Sequence, residues 1–409
     1  MASTAKNHHT GPLAGLRVLE MTQIMSGPTC GLLLADLGAD VIKIEKTSGG
    51  DDARAMLIPQ INGVSAPFLM LNRNKRSLAL DLKKPQGRDL LLRMVKNADV
   101  LVENFRGGTM EKLGLGYDTL REVNPGLIYC AISGYGRTGP YADKGGFDLI
   151  AQGFAGLMAV TGEAGRPPAK NGNAVSDMNA GILAATGILA AYIHKLKTGE
   201  GQLVDTSLSD AALQQTYWHA AVWFSTQREP QPTGSAHILT APYQAFEASD
   251  GWINLGGANQ NNWERICQVL GHPEWREDPR FATNSERMAH LDELVALMNA
   301  VLRQRTRAEW QADMDAAGVP AGPVHTIGEA LSHPQTLARG MVVTLEHPQA
   351  GTTRGIGCPI HFSQTPTDTG QAAPLLGQHT RELLKEHGLS EAEIDTLIAQ
   401  EAVSQSGAL

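Results

Sequence analysis

Short apolar runs alternate with helical segments near the N-terminus, and this alternation restricts the possible folds more than any other feature of the sequence. The runs from Leu16 to Met21 and from Val41 to Glu45 are typical of buried strands, and the segment from Thr29 to Leu37 between them is typical of a helix. Such a βαβ unit requires a parallel sheet with helices packed on its faces. In sheets of this kind, ligands bind beyond the carboxyl ends of the strands. The turn Ile24 to Ser26 and the pair Glu45-Lys46 are therefore candidate ligand contacts.

The same alternation continues along the chain. A helix is predicted from Pro85 to Lys96, because a proline in the first turn precedes an amphipathic pattern. Further strands are predicted at four runs that end in polar or glycine-rich loops: Arg76 to Leu82, Asp99 to Glu103, Leu127 to Ile132 and Gly201 to Ser207. These elements extend the sheet, so the sequence predicts an α/β fold.

A glycine-rich loop, Gly134 to Gly139, matches the GxGxxG pattern of dinucleotide-binding folds. That motif needs a helix that begins within it, because the helix N-terminus contacts the pyrophosphate. Here Pro140 and the pair Gly145-Gly146 follow instead, and the loop lies late in the sheet. We interpret it as a ligand-facing loop and not as an NAD site.

A chain of 409 residues is too long for one simple core, so two domains are expected. The second, smaller α+β domain is predicted after about residue 210, where the runs from Tyr243 to Glu247 and from Gly251 to Leu255 form a hairpin. A helix is predicted in this domain from Arg287 to Arg303. Near the C-terminus, the sequence predicts two strands and a closing helix: Met341 to Leu345, Ile356 to Phe362 and the segment from Glu391.

A polar, glycine-rich loop, Gly172 to Gly181, leads directly into the apolar run from Ile182 to Ile193. Good helix formers fill this run, and basic residues followed by Gly199 form a typical helix C-terminus. Asp177 therefore lies at or just inside the N-terminus of a helix, where free N–H groups stabilise a carboxylate. Because aspartate is also a preferred capping residue, the pattern alone fits either a helix cap or a catalytic carboxylate.

Charge and cysteine content argue against several classes of function. A formal net charge of -8 argues against nucleic-acid binding. The four cysteines are widely spaced, which fits a reducing, cytoplasmic setting and not a zinc site, and no metal-binding motif is present. The segment from Met1 to Pro12 lacks the apolar core of a signal peptide, and the run from Ile182 to Ile193 is too short to cross a bilayer. Neither a membrane nor a nucleic acid is therefore expected as a partner.

Basic residues recur at predicted loop ends on one side of the sheet. They are Lys46, Lys75, Arg76, Lys83, Arg106, Lys112 and Lys144. Any one of them could be ordinary solvated surface, but several together beside strand ends predict a pocket for a polyanionic ligand. Phe105 and Tyr135 are candidates for an aromatic wall against a planar ring.

In addition to these patterns, the chain resembles the family III coenzyme A transferases, also called the CaiB–BaiF family. The resemblance rests on ordered motifs over nearly the whole chain: Gly15 to Glu20, Ala35 to Glu45, Asn72 to Ser77, Ala98 to Phe105, Ser133 to Gly136, Thr198 to Gln202, Gly322 to Val324 and Pro374 to Thr380. It implies a Rossmann-like large domain built from residues 1–210 and 326–409, and a small α+β domain from residues 211–325. It also implies a homodimer of two interlocked chains.

The resemblance further implies the chemistry. An aspartate in the loop before the central helix is the nucleophile of the family, and it matches Asp177. Contacts to coenzyme A are implied for Ile24, Met25, Ser26, Lys46, Leu80, Lys83, Asn104, Phe105, Arg106, Lys112, Lys144 and Gly145. Coenzyme A is then a substrate, and neither a permanently bound cofactor nor a metal is expected. The implied reaction moves CoA from an acyl-CoA to a carboxylic acid through an aspartyl-CoA thioester.

Two departures from the family pattern bear on the substrate. The formyl-CoA:oxalate transferases carry Gln where Met25 stands here and have a longer glycine-rich loop near Gly234 to His237, so we expect an acid larger than oxalate, such as a dicarboxylate or a branched or hydroxylated acid. Racemases of the same fold use a histidine base in a Gly-His-Asp context, where this chain has Gly146-Phe147-Asp148. An α-methylacyl-CoA racemase and a non-catalytic acyl-CoA-binding protein are the alternatives.

Overall fold

The computed structural model describes residues 10–367 and 369–406, so the expectation for Met1 to Pro12 falls mostly outside the described residues. The chain divides into two compact units. The first holds the described parts of Met1–Ala155 and Pro334–Leu409 together with Asn171–Gln215, and the second holds Gly156–Lys170 and Thr216–His333. The second unit thus differs from the predicted small domain by the additional segment Gly156–Lys170 and by its boundaries. None of the described helices is long and apolar enough to cross a membrane.

Strands and α-helices alternate along the described chain. The strands are β1 (Arg17–Met21), β2 (Asp40–Glu45), β3 (Gln60–Ile61), β4 (Val64–Ser65), β5 (Lys75–Leu80), β6 (Val100–Glu103), β7 (Ile128–Ser133), β8 (Leu203–Ser207), β9 (Tyr243–Ala248), β10 (Gly251–Gly256), β11 (Ala321–Pro323), β12 (Val342–His347), β13 (Gly351–Ile356) and β14 (Val403–Ser404). The helices are α1 (Ser26–Asp36), α2 (Ala66–Leu71), α3 (Pro85–Val95), α4 (Thr109–Lys112), α5 (Tyr117–Val123), α6 (Asp148–Phe154), α7 (Leu157–Val160), α8 (Val175–Thr198), α9 (Leu208–Gln214), α10 (Tyr217–Thr226), α11 (Gln260–Val269), α12 (Asn284–Ala289), α13 (Leu291–Leu302), α14 (Arg307–Ala316), α15 (Ile327–Ser332), α16 (Pro334–Ala338), α17 (Thr380–Glu386) and α18 (Glu391–Ala399).

The described part of the first unit is built on a seven-stranded sheet of order β14-β5-β2-β1-β6-β7-β8. Its neighbouring strands pair in parallel except at one edge, where β14 runs antiparallel to β5. Strands of this kind are covered on both faces, which explains why they read as nearly continuous apolar runs. The predicted parallel sheet is confirmed, whereas β14 was not predicted.

The order of the strands places a ligand-binding crevice at one point of the sheet. From β1 the chain continues to β2 and β5 on one side, and it then returns to β6 on the other side of β1. A reversal of this kind separates the loops that follow the two central strands, and ligands bind in the gap between them. The carboxyl ends of β1 and β6 therefore border the expected ligand-binding crevice.

Close packing of α1 against α8 brings the start of α8 to this crevice. A methyl group on Gly181 of α8 would lie 2.5 Å from the carbonyl oxygen of Ser26 and 2.7 Å from Cβ of Thr29. Only glycine permits so close an approach, because any side chain would force the two helices apart. The first turn of α8 is thereby held beside the turn that follows β1.

The second unit contains the three-stranded antiparallel sheet β11-β10-β9, and the predicted hairpin is confirmed as β9 and β10. Its core includes Phe246, Trp263 and Trp310. The single helix predicted from Arg287 to Arg303 is wrong, because His290 adopts φ -117° and ψ 32° and divides the segment into α12 and α13.

One predicted strand of the first unit is also wrong. The run from Ile356 to Phe362 is not a strand, and β13 instead ends at Ile356. A tight turn after β12 ends at Gly351, whose φ is 75°, and this turn pairs His347 directly with Gly351. The turn therefore fixes an earlier start for β13 than the apolar run suggested.

Candidate active site

The turn after β1 lies in the crevice and has an unusual backbone. Ile24 adopts a φ of 67°, which is uncommon for a β-branched residue. Its N–H group donates a hydrogen bond to Asp51 Oδ1 at 3.0 Å. Asn104, which follows β6, accepts from the N–H of Gln23 at 2.8 Å and donates to the carbonyl of Gln23 at 2.9 Å and to Ser26 Oγ at 3.2 Å. The turn is therefore fixed from two neighbouring loops.

Four buried charged side chains support the same turn from inside the sheet. Lys43 contacts Glu20 at 3.0 Å and Asp51 at 2.8 Å. It also donates to the carbonyl of Thr22 at 2.9 Å. Lys75 contacts the second oxygen of Glu20 at 2.8 Å, and all four charged side chains are fully shielded from solvent. We call Glu20, Lys43, Asp51 and Lys75 the buried charge cluster.

The structure removes Lys75 and Arg76 from the predicted anion pocket. Both residues begin β5, so they lie at the amino end of that strand, away from the carboxyl ends that border the crevice. Lys75 belongs to the buried charge cluster, and Arg76 contacts Asp40 at 2.6 Å and Glu382 and Glu386 at 2.9 and 2.8 Å. Their positive charges are neutralised within the protein and do not face a ligand.

A cavity of about 520 Å³ borders the carboxyl ends of β2 and β5. Its lining includes five residues implied as coenzyme A contacts: Lys46, Leu80, Lys83, Phe105 and Lys112. Lys46 also contacts Asp52 at 2.6 Å, but both side chains are more than half exposed. Water screens such a pair, so the contact with Asp52 binds Lys46 only weakly. We call this the lysine cavity.

A second cavity, of about 390 Å³, shares Gln23 and Phe105 with the lysine cavity, so the two adjoin. Its lining contains the remaining residues of the predicted site: Ile24, Met25, Ser26, Asn104, Arg106, Lys144, Gly145 and Asp177. We call it the aspartate cavity. The two cavities, both within the first unit, thus bring together every residue of the predicted site.

Asp177 lies half-buried in the first turn of α8. It is not the helix cap, because Ala174 occupies the N-cap position, so the capping interpretation is wrong. Burial, reinforced by the negative charge of Asp148, raises the pKa of Asp177 to about 6. Asp177 lines the aspartate cavity. Because its pKa lies below 7, its carboxylate is largely ionised at neutral pH.

Sequence reasoning assigned no role to two carboxylates near the site. Asp148, the first residue of α6, accepts a hydrogen bond from the N–H of Ser176 at 2.9 Å and so contacts the helix that carries Asp177. Glu103, the last residue of β6, accepts from the N–H of Phe105 at 2.7 Å, and burial raises its pKa to about 7. The sequence around Glu103 marks a strand end, and no local signal distinguishes Asp148 from an ordinary helix-start aspartate.

The two residues predicted to form an aromatic wall, Phe105 and Tyr135, lie in different surroundings. Phe105 lines both cavities, whereas Tyr135 lines neither and packs edge-on against Tyr141 and Phe154, with ring centroids 5.2 and 5.1 Å apart. The ammonium group of Lys144 lies 3.4 Å from the centre of the Tyr141 ring. Tyr135 therefore supports the Tyr141 ring that contacts Lys144 and does not form a cavity wall itself.

The GxGxxG loop extends from the end of β7 to Asp148, and no helix begins within the motif itself. A hydrogen bond from the N–H of Gly136 to Ser133 Oγ at 2.8 Å closes its first turn. Gly134 and Gly145 of this loop line the aspartate cavity, which agrees with the interpretation as a ligand-facing loop.

Within residues 10–367 and 369–406, no group of three or more His, Cys, Asp or Glu side chains is arranged to hold a metal.

A lysine-lined cavity adjoins a second cavity that Asp177 lines, at the reversal point of a parallel α/β sheet, which is where ligands bind in such folds. Residues 13–380 match the family described as CoA-transferase family III, and the chain belongs to that family. It is therefore a CoA-transferase, a class whose members use CoA thioesters as substrates.

Proteins similar to this chain agree with that assignment. An acyl-CoA transferase from Fusarium pseudograminearum is 41% identical over 93% of this chain and 85% of its own length. A succinate–glutarate CoA-transferase from Agrobacterium fabrum is 39% identical over 92% of this chain and 95% of its own length. The crystal structure of a CaiB/BaiF family protein from Brucella suis, 38% identical, superposes with a TM-score of 0.83 over 92% of this chain and 100% of that protein.

Proposed function

We propose that this enzyme transfers CoA from an acyl-CoA to a carboxylic acid through a thioester formed on Asp177. The observation that carries the proposal is the half-buried carboxylate of Asp177, which lines a cavity that adjoins a lysine-lined one. With a pKa of about 6, this carboxylate is mostly charged at neutral pH and is less strongly hydrated than an exposed one. Such a group is suited to attack an acyl carbon.

The two adjoining cavities suit the two ends of coenzyme A. The phosphates would bind in the lysine cavity, where Lys46, Lys83 and Lys112 can each act as a point charge toward a phosphate. The pantetheine arm would pass Phe105, which lines both cavities, and carry the thioester into the aspartate cavity. This arrangement would leave the acyl carbon within reach of Asp177.

The proposed reaction has two halves. First, an oxygen of Asp177 attacks the acyl carbon, the C–S bond breaks, and CoA leaves as a thiolate. The acyl group and Asp177 are then joined as a mixed anhydride. The thiolate then attacks the Asp177 carbonyl, and the anhydride C–O bond breaks to release the donor acid as a carboxylate. The acceptor carboxylate attacks the resulting aspartyl-CoA thioester, and the same two steps run in reverse. Because thiolate and carboxylate are the only leaving groups, no metal and no general acid is needed.

We propose a dicarboxylate of about four or five carbons as the acceptor, with a dicarboxylyl-CoA such as succinyl-CoA as the donor. The Agrobacterium fabrum relative is named for succinate and glutarate. Met25 lines the aspartate cavity at the position where the formyl-CoA:oxalate transferases carry glutamine, so an apolar side chain here meets the carbon chain of the acid. This favours an acid longer than oxalate.

The proposed thioester is tested by mixing the purified enzyme with succinyl-CoA and measuring the mass of the intact protein. We expect a covalent CoA adduct that hydroxylamine removes, because thioesters react with this nucleophile. With glutarate added, a new glutaryl-CoA should appear by chromatography. CoA exchange without any adduct would contradict the covalent route. α-Deuteration of a 2-methylacyl-CoA in heavy water without exchange would identify a racemase instead.

A homodimer belongs to the same proposal. Helices α6 and α8 leave large apolar side chains exposed in the single chain: Leu149, Ile150, Phe154, Ile182, Ile193 and Leu196. Exposed apolar groups of this kind are typical of interaction surfaces. We expect light scattering to give twice the mass of one chain at all concentrations at which the protein stays folded. A native monomer that persists at every concentration would exclude this assembly.

We also propose that the enzyme is located in the cytoplasm. All four cysteines are unpaired and buried. Proteins in reducing compartments keep their cysteines in this form.

A further inference from the structure

Asp148 lies next to the nucleophile, and the proposed reaction steps do not use it. Its Oδ1 accepts the N–H of Ser176, the residue before Asp177, at 2.9 Å. Its Oδ2 accepts a hydrogen bond from Gln152 Nε2 at 2.7 Å. Gln152 is fully buried, and its own oxygen accepts the N–H of Asn171 at 2.8 Å. Both oxygens of Asp148 are therefore held in place from two different segments.

This arrangement compensates for a missing cap. The N-cap of α8 is Ala174, which has no side chain able to accept a hydrogen bond from the first turn. Asp148 supplies the acceptor from α6, where its negative charge also suits the positive end of the α8 dipole. A neutral acceptor would cap the helix as well. Capping alone therefore does not explain why the acceptor carries a negative charge.

Three other charged residues on the elements around Asp177 each have a contact of their own. Arg106 and Lys144 line the same cavity, but Arg106 donates to the carbonyl of Asp143 at 2.8 Å and Lys144 lies over an aromatic ring. Asp210 on α9 accepts from Ser207 Oγ at 2.7 Å. Asp148 is the charged neighbour that adds to burial in raising the pKa of Asp177.

We propose that Asp148 is a positioning residue whose fixed negative charge favours the acylated forms of Asp177 over its free carboxylate. The inference rests on the proposed function. When aspartyl-CoA forms, the negative charge of Asp177 leaves with the released donor carboxylate, and the thioester that remains is neutral. Two adjacent negative charges thereby become one, so the repulsion from Asp148 is relieved in the covalent intermediate. The charge of Asp148 thus shifts the equilibrium of the first half-reaction toward the thioester.

The test is Asp148→Asn, which keeps an oxygen to accept the Ser176 N–H but removes the charge. We expect the ratio of aspartyl-CoA to free enzyme at a fixed ratio of succinyl-CoA to succinate to fall severalfold, because the variant no longer repels the free Asp177 carboxylate. In the wild type, kcat/KM should fall as the pH drops through about 6, because protonation removes the nucleophile of the free enzyme. In the variant, this acid limb should move to lower pH, because the pKa of Asp177 falls.

The controls separate charge from structure. Asp210→Asn removes a nearby charge that makes its contacts within its own segment, and it should leave both readouts unchanged. If Asp148→Asn does not fold, Asp148→Ser supplies another neutral acceptor, since serine is also a preferred cap. A purely structural role would lower kcat at every pH without moving the acid limb, and that result, or an unchanged thioester ratio, would overturn the inference. Failure of the wild type itself to form a CoA adduct would instead overturn the proposed function.

Discussion

Replacing Asp177 by alanine is expected to lower the rate of CoA exchange by on the order of 10⁴-fold or more, because the reaction loses the atom that carries the acyl group and then CoA. Asp177 takes no part in the core, since it is half-buried and lines a cavity. The variant should therefore fold and bind CoA with an affinity close to that of the wild type. Exchange is measured by chromatography of the acyl-CoAs, and binding by calorimetry.

Two further variants make this result specific. Asp177→Asn keeps the shape of the side chain but not its nucleophilic carboxylate, so it should be as inactive as the alanine variant. Asp292→Ala removes an exposed aspartate from α13 in the second unit and should retain full activity. A folded Asp177→Ala enzyme that keeps more than a few per cent of the wild-type rate would falsify the nucleophile assignment.

Removal of Glu20 is expected to cause the largest loss of stability. Glu20 contacts both Lys43 and Lys75, and none of these side chains is accessible to solvent. Burial already lowers the pKa of Lys75 to about 8, and Glu20 is the charge that most opposes this effect. In Glu20→Ala, Lys75 loses its carboxylate partner, and breaking a buried pair in this way costs about 3–5 kcal/mol of unfolding free energy. The loss is measured from the urea midpoint at constant m-value.

The double variant Glu20→Met, Lys75→Met is the matched control for this prediction. It removes a buried pair together, so no unpaired charge remains at Lys75, and it should recover much of the stability that Glu20→Ala loses. Lys385→Ala removes a contact of Lys385 with Glu391 at the surface and should leave the midpoint unchanged. A midpoint for Glu20→Ala equal to that of wild type would show that the buried charge cluster does not stabilise the sheet.

The sheet was predictable because apolar periodicity reports burial, and buried parallel strands are apolar along their whole length. Element boundaries were less predictable because single residues decide them. The dihedral angles of His290 divide one predicted helix, and the turn at Gly351 shifts one predicted strand. β14 is only two residues long and pairs with β5 far away in sequence, so no local pattern marks it.

The grouping of the candidate site residues was predictable to the extent that these residues follow strand ends or match family motifs. Asp177 and Lys83 are of this kind. The prediction that Lys75 faces the anion pocket was wrong, because a count of basic residues does not tell which end of a strand a residue occupies. Lys75 begins β5. Asp148 was not assigned a role because its contact near the site is with the N–H of Ser176, which belongs to another helix.

The position of β14 has a consequence for how the protein is made. Val403 pairs with Leu80, which lines the lysine cavity, so the edge of the sheet at β5 is completed by a strand that is synthesised more than 300 residues later. At about 5–20 residues per second, ribosomes need on the order of tens of seconds to proceed from β5 to β14. Throughout this time the nascent chain carries an open strand edge, which is a template for association with other chains. The synthesis of β14, and not the emergence of the N-terminal βαβ units, therefore sets the earliest moment at which the sheet edge beside Leu80 can be paired.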